Sequence, residues 1–220
     1  MSARDDIFSN IRRSLGVTGK ETPRHAAVAQ RLADTPRGPI PARGQGSPAT
    51  RLATFITEAS RVSASVVVLD TLQAVPQEVA RYLQEVQAPL TLKRGADARL
   101  ADLDWQAAGL DVSSGASDGT DLNAISHAFG GVAETGSLIL LSGPDNPVTL
   151  TFLPDNHFVV LSGADLVSDL DSVLAKLRRQ DSLPRTVNIV TGPSRSADIE
   201  QTLLLGAHGP RRLHIMVTLN

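Results

Sequence analysis

The sequence predicts an α/β fold: one main sheet, mixed and mostly parallel, with helices on both faces. Three observations carry that expectation. From residue 49 onward, short apolar runs alternate with segments of helical spacing, the pattern of strands joined by covering helices. Hydrophobic residues make up 41% of the chain but aromatics only 3%, so the core must be built from Val, Leu, Ile and Ala, which suits a buried parallel sheet. A length of 220 residues permits one large domain, or one domain plus an arm.

The elements follow in order. Residues 3–15 place Ile7, Phe8, Ile11 and Leu15 at helical spacing, so a short amphipathic helix is expected, ended by Gly16. Residues 17–48 change composition: Pro23, Pro36, Pro39, Pro41 and Pro48 alternate with glycines and arginines. Such a segment is expected to be a structureless linker or surface arm, or one that orders on a partner. The chain thus divides into an N-terminal helix and arm, 1–48, and an α/β domain, 49–220.

Within the domain, residues 49–62 form a helix with Leu52, Phe55, Ile56 and Ala59 on one face, and Ser65 to Asp70 a buried strand. Residues 76–87 form a helix opened by Pro76, which suits a first-turn position. A short strand at 89–92 and a weak helix near 97–106 precede a strand end and a Gly/Ser/Asp loop, 109–123. Ser137 to Ser142, Val148 to Leu153 and Phe158 to Leu161 are expected to be strands, the first two joined as a hairpin through Gly143-Pro144-Asp145-Asn146-Pro147. A helix over 165–179, a strand over 186–191, a helix over 196–205 and a final strand over 213–219 complete the chain. No internal repeat is present.

Composition excludes several functions. A net charge of −2, with one Trp and one Tyr, leaves no nucleic-acid footprint. The absence of cysteine excludes disulfides, thiolate-held zinc or iron–sulfur clusters and a thiol nucleophile. The start, Met1 to Asp6, is acidic where a signal peptide is basic, and no apolar run approaches the about 20 residues of a bilayer span, so a cytoplasmic protein without a membrane span is expected. His127, His157 and His214 lack metal-ligand spacing, and neither nucleotide-binding glycine fingerprints nor a G-x-S-x-G elbow occurs. No cofactor is expected on this chain.

Two stretches concentrate chemistry. In "VTGPSRSADIEQTLLLGAHGP" (190–210) a strand runs into Gly192, Pro193 and Ser194, then toward an expected helix. Ser194 and Ser196 either cap that helix, with Asp198 and Glu200 complementing its dipole, or join backbone N–H groups in holding a phosphate or carboxylate. Gly206 is expected as the helix C-cap. His208 then sits on a loop near the 192–196 turn, either solvated or an acid/base group. In "AFGGVAETGSLILLSG" (128–143), Glu134 stands among Gly130, Gly131 and Gly136 before an apolar strand. It is either a nucleophile or general base, or a carboxylate accepting backbone bonds in a tight loop.

The motifs "GVAETGSLILLS", "TFLPDNHFVVL", "TGPSRSADIE" and "GAHGP", in this order and spacing, resemble the lactate utilization protein C (LutC/YkgG) family, built on the LUD domain. Ser137 stands where that family commonly has Thr, which keeps a hydroxyl. The resemblance implies a NagB/RpiA/CoA-transferase-like sandwich. It implies a part in oxidising L-lactate to pyruvate with iron–sulfur partner subunits, this chain being the cluster-free component. Together with the two stretches it leads to an expected small anion pocket bordered by Thr135, Gly136, Ser137, Gly192, Ser194, Ser196 and Asp198, with Glu134, sharpened by analogy with the acyl-CoA transferases of that fold, and His208 as catalytic candidates, and a carboxylate, CoA thioester or phosphate as ligand. The alternative is a stand-alone CoA-transferase-like or sugar-phosphate-binding enzyme using Glu134.

Overall fold

The computed structural model describes residues 2–34, 36–197 and 203–219, with the side chains of 196, 197 and 203–205 left aside. It divides into two units, Met1–Ile40 and Pro41–Asn220.

The first unit holds two helices. In α1 (Ala3–Leu15) the Ser2 hydroxyl accepts from the Asp5 N–H while the Asp5 carboxylate accepts from the Ser2 N–H, a reciprocal capping box. Gly16 ends the helix in the left-handed conformation, as expected. The segment expected to be structureless contains α2 (Thr22–Asp34). Its run of Ala26, Ala27, Val28, Ala29, Gln30, Arg31 and Leu32 is made of good helix formers, and Pro23 lies in the first turn where it costs no hydrogen bond. The apolar side chains Ile7, Phe8, Ile11, Leu15, Val28 and Leu32 of these helices are exposed.

The second unit is built on a six-stranded sheet: β1 (Ser65–Leu69), β2 (Thr91–Arg94), β3 (Asp111–Ser114), β4 (Asn123–His127), β7 (Asn156–Ser162) and β12 (Arg212–Thr218). Its order is β1-β12-β7-β4-β2-β3, and every neighbouring pair is parallel. The strands β7 and β12 are central and buried on both faces, which is why their sequences are continuous apolar runs rather than alternating ones.

On one face Leu92, Ile125, Phe158, Val160 and Met216 pack on Val75, Val79, Ala80 and Leu83 of α4 (Val75–Glu85). On the other, Val159, Leu161, Ile215 and Val217 meet Phe55 and Ala59 of α3 (Pro48–Arg61), together with Leu138 and Leu140 from a second sheet. The Ser47 hydroxyl accepts the Thr50 N–H, and Pro48 sits in the first turn, which together start α3.

The second sheet, which the sequence reading did not separate from the first, contains β5 (Gly130–Val132), β6 (Ser137–Leu141), β8 (Leu166–Val167) and β9 (Val187–Val190) in the order β8-β5-β6-β9. Val132 and Ile139 on its far side pack on Val173 of α7 (Leu170–Leu177). This helix is shorter than the 165–179 expected, because the Asp169 carboxylate accepts the Ser172 N–H and starts it there.

Three sequence expectations are corrected. Residues 148–152 are a helix, α6 (Val148–Phe152), not the second strand of a hairpin. The reason is topological: β6 already pairs with β5 on one side and β9 on the other, so no edge is open to a returning strand. The weak helix near 97–106 shrinks to one turn, α5 (Ala98–Ala101), held by the Asp97 carboxylate accepting the Arg99 N–H. The helix expected over 196–205 does not form in the described parts. Instead β10 (Arg195–Ala197) pairs antiparallel with β11 (Leu203–Leu205), since a short leucine run fits either element and cross-strand pairing settles it.

Candidate functional site

The predicted constellation begins at the tight turn between β5 and β6, residues 133–136. Its backbone is tied to β8: the Ala133 and Glu134 N–H groups donate to the Val167 and Ser168 carbonyls at 2.8 and 3.2 Å. Gly136 has φ +65°, and a Cβ there would lie 2.3 Å from the Ala59 nitrogen on α3. Glycine is therefore required twice over, by conformation and by the close approach of a helix backbone. A Cβ on Gly44 would lie 2.0 Å from the Ser168 carbonyl oxygen and 2.9 Å from the Glu134 Cβ, so the Glu134 stem is packed tightly.

Glu134 is 8% exposed. Among the described residues no side chain or backbone N–H donates to its carboxylate, and no cation pairs with it. The alternative of a carboxylate satisfied by backbone bonds within its loop is thereby set aside. Next to it, three hydroxyls form a line: Thr135 Oγ1 is 2.7 Å from Ser137 Oγ, which is 2.7 Å from Thr191 Oγ1 at the end of β9. Gly192 follows, with φ +76° and room for a Cβ denied by the Val62 carbonyl oxygen at 2.5 Å.

The 192–196 and 206–210 loops do meet. The Ser194 N–H donates to the Pro210 carbonyl at 2.8 Å, the Gly206 N–H to the Ser194 carbonyl at 3.3 Å, and the His208 N–H to the Ser194 hydroxyl at 3.2 Å. Because 195–197 and 203–205 are strands, the described residues offer no helix for Ser194 and Ser196 to cap or for Gly206 to end. Gly206 instead follows β11 with φ +84°. The Ser196 backbone belongs to β10, and Asp198 and Glu200 lie outside the described residues. Thr135, Gly136 and Ser137 are thus joined to the Gly192 loop through Thr191, and Ser194 to His208. Among the described residues no hydrogen bond or ion pair joins Glu134 to Ser194 or His208, and His208 itself is exposed.

Sequence reasoning missed a second location. After β2 the main sheet continues outward to β3, whereas after β4 it continues in the opposite direction to β7. Neighbouring strands whose connections depart to opposite sides leave a crevice at their carboxyl ends, the usual ligand location of open parallel sheets. A cleft of about 340 Å³ lies there, lined among others by Asp97 and Arg99 beyond β2, His127 at the end of β4, Asn146, Asp165 and Lys176. Arg99 grips the Asp97 carboxylate through Nε and Nη2, at 2.9 and 2.6 Å. Lys176 Nζ donates to Asp165 at 2.6 Å and to the Phe129 carbonyl at 2.8 Å. His127 Nδ1 lies 2.9 Å from the Ala128 carbonyl oxygen, which can only accept, so Nδ1 carries the proton. Burial, and then the Arg99 charge, lower the His127 pKa, so the ring is neutral at pH 7 with an unprotonated Nε2. The sequence signal was a histidine ending a strand, meaningless until strand order is known.

Two other histidines, His157 and His214, serve the core. His214 stacks on Tyr82 with ring centroids 4.2 Å apart, and its nitrogens meet Ser65 Oγ at 2.7 Å and Glu78 Oε1 at 3.0 Å. His157 is fully enclosed against Ser126 Oγ at 3.0 Å. Among the described residues no group of three or more His, Asp or Glu side chains is arranged to hold a metal ion, and no helix is long and apolar enough to cross a membrane.

The family profile of the LUD domain matches residues 52–218, nearly the whole of the second unit. The chain belongs to the LUD domain family. Similar proteins include an uncharacterized protein of Neisseria meningitidis serogroup B, 37% identical over 102 residues (46% of this chain, 44% of that one). Lactate utilization protein C of Anoxybacillus flavithermus is 35% identical over 88 residues, 40% of each chain, and that of Geobacillus sp. WCH70 35% over 92 residues, 40% of this chain and 38% of that one. The match spans about two-fifths of the length of these curated relatives. A crystal structure of a DUF162 family protein from Deinococcus radiodurans superposes with a TM-score of 0.57 over 80% of this LUD chain and 100% of that one, at 21% identity, a likeness of fold alone.

Proposed function

We propose that this LUD protein is a component of a lactate utilization system that oxidises L-lactate to pyruvate in the cytoplasm, together with iron–sulfur partner subunits. The observation that carries the reading is membership of the LUD domain family combined with a sequence devoid of cysteine. Oxidising lactate removes two electrons. A chain without thiolates has no ligands for the usual cysteine-held clusters, so electrons pass through partners. The chain binds no cofactor and contributes a small anion or organic-acid site. The relatives named lactate utilization protein C support the system, and the buried Glu134, unpaired among the described residues, supports a site on this chain.

The test is affinity capture of the tagged protein from lactate-grown cells of its source, with iron assayed in the eluate. Co-purifying iron–sulfur proteins are expected. A clean, iron-free preparation overturns the assembly.

A second reading rests on the same unpaired carboxylate, which stands in a glycine-lined turn as a nucleophile would. There the chain acts alone on a CoA thioester or a sugar phosphate. Such a ligand at 100 times its dissociation constant adds about 2.7 kcal/mol of stability, a readable shift in melting temperature. The lactate reading expects no shift from either compound.

A further inference from the structure

We propose that the cleft at the carboxyl ends of β2 and β4 binds a small hydroxycarboxylate, with the ligand carboxylate on Arg99 and Lys176 and its hydroxyl donating to His127 Nε2. The inference follows from which hydrogen-bonding capacity the protein leaves unused there.

Arg99 spends Nε and Nη2 on Asp97, and no atom of the described residues takes its Nη1. Lys176 has three N–H groups and uses two. Two cations therefore keep donors for an anion after neutralising Asp97 and Asp165, a pairing that also holds each side chain in place. Asp145 is the remaining carboxylate on the lining, and it is exposed, where water and salt screen its repulsion.

The acceptors are equally specific. His127 is 8% exposed, and its tautomer is set by the Ala128 carbonyl, leaving Nε2 as a lone-pair acceptor without a partner among the described residues. Asn146 is 7% exposed and lines the same cleft, and its buried Oδ1 has no hydrogen-bond partner although Nδ2 donates to the Leu141 carbonyl. A buried acceptor without a donor is costly, so the Asn146 Oδ1, with the free lone pair of His127 Nε2 and two spare cationic donors beside it, matches a ligand that brings a hydroxyl as well as a negative charge. A plain carboxylate has no proton to donate to His127 Nε2, and a plain alcohol would leave the cations unused. The volume of about 340 Å³ accepts molecules from a three-carbon hydroxy acid upward.

The ligand class rests on this geometry; only the choice of L-lactate as first probe rests on the proposed lactate reading. The full-length protein, 15N-labelled at histidine, is titrated with L-lactate, glycolate and malate, and with propanoate, which has the carboxylate but no hydroxyl. A saturable movement of the His127 Nε2 resonance with at least one hydroxy acid, absent with propanoate, is expected. In Lys176→Met the apparent dissociation constant of that acid rises about tenfold or more, as for loss of a charge-assisted hydrogen bond. Wild-type titration alone decides the matter if that variant fails to fold. Response to glycolate or malate but not L-lactate keeps the site and removes lactate as its ligand. No response at His127 to any of the three, or an equal response to propanoate, overturns the proposal.

Discussion

Ser137 Oγ lies 2.7 Å from Thr191 Oγ1, so one buried hydroxyl ties the turn carrying Glu134 to the end of β9. The same oxygen is 2.7 Å from Thr135 Oγ1, which makes Ser137 the middle of three. Ser137→Ala leaves both threonine hydroxyls seeking partners. Thr191 is exposed and finds water, whereas Thr135 is half-buried. A loss of about 1 kcal/mol in urea unfolding is expected, the ordinary net worth of one hydrogen bond. A loss above the range of a single bond would mean that the turn itself moves.

Gly136→Ala is expected to be far more damaging. The added methyl meets the Ala59 nitrogen at 2.3 Å, and the residue must also keep φ +65°. Backbone strain and overpacking each cost about 1–3 kcal/mol, so a loss of about 2–6 kcal/mol or outright failure to fold is expected. Gly109→Ala separates the two causes, because Gly109 has φ +74° with nothing within 4 Å of a Cβ. Its unfolding free energy should fall by the strain alone, about 1–2 kcal/mol. Equal losses at both positions would show that the contact with α3 is unimportant.

Acid sensitivity should come in part from His157. Burial lowers its pKa from the ordinary 6.5 of histidine to about 3. Between these values the unfolded chain binds the proton and the folded one does not, so stability is complete above about pH 6.5 and declines as pH falls toward 3. A single such group contributes a slope of about 1.4 kcal/mol per pH unit in that window. His157→Gln keeps a group able to bond Ser126 but removes the titration. Urea midpoints from pH 7 to 4 should therefore fall less steeply in the variant. Identical slopes would exclude His157 as the acid trigger.

Glu134→Gln should divide stability from function. The carboxylate has no protein donor to lose among the described residues, and a neutral amide is easier to enclose than a charge. Thermal stability should stay the same or rise slightly, while lactate-dependent activity of the reconstituted system is lost. Full retention of that activity removes Glu134 as a catalytic group.

Local chemistry made much of this molecule legible. Ser2 and Gly16 bracket α1, Pro48 and Pro76 open α3 and α4, and the valine run at 65–69 is a strand, because caps, first-turn prolines and β-branched runs act over a few neighbouring residues. The meeting of the 192–196 and 206–210 loops was also foreseen, yet through the wrong intermediate. Leu203–Leu205 looks helical in isolation and pairs as a strand because Arg195–Ala197 lies beside it.

What the chain's own pattern determined, then, is an α/β core poor in aromatics and free of thiols, and a glycine-bounded glutamate before an apolar strand. The tertiary structure alone decided that Val148–Phe152 must coil, since both edges of β6 were taken, and that the covering face of the main sheet is shared between α3 and a second sheet. It alone brought Asp97, Arg99, His127, Asn146, Asp165 and Lys176 to one cleft across 80 positions of sequence. The reason is physical. Capping and periodicity are written in contacts of three or four residues, whereas strand order, and with it the place where crossovers part and a ligand fits, depends on pairings between segments far apart in the chain.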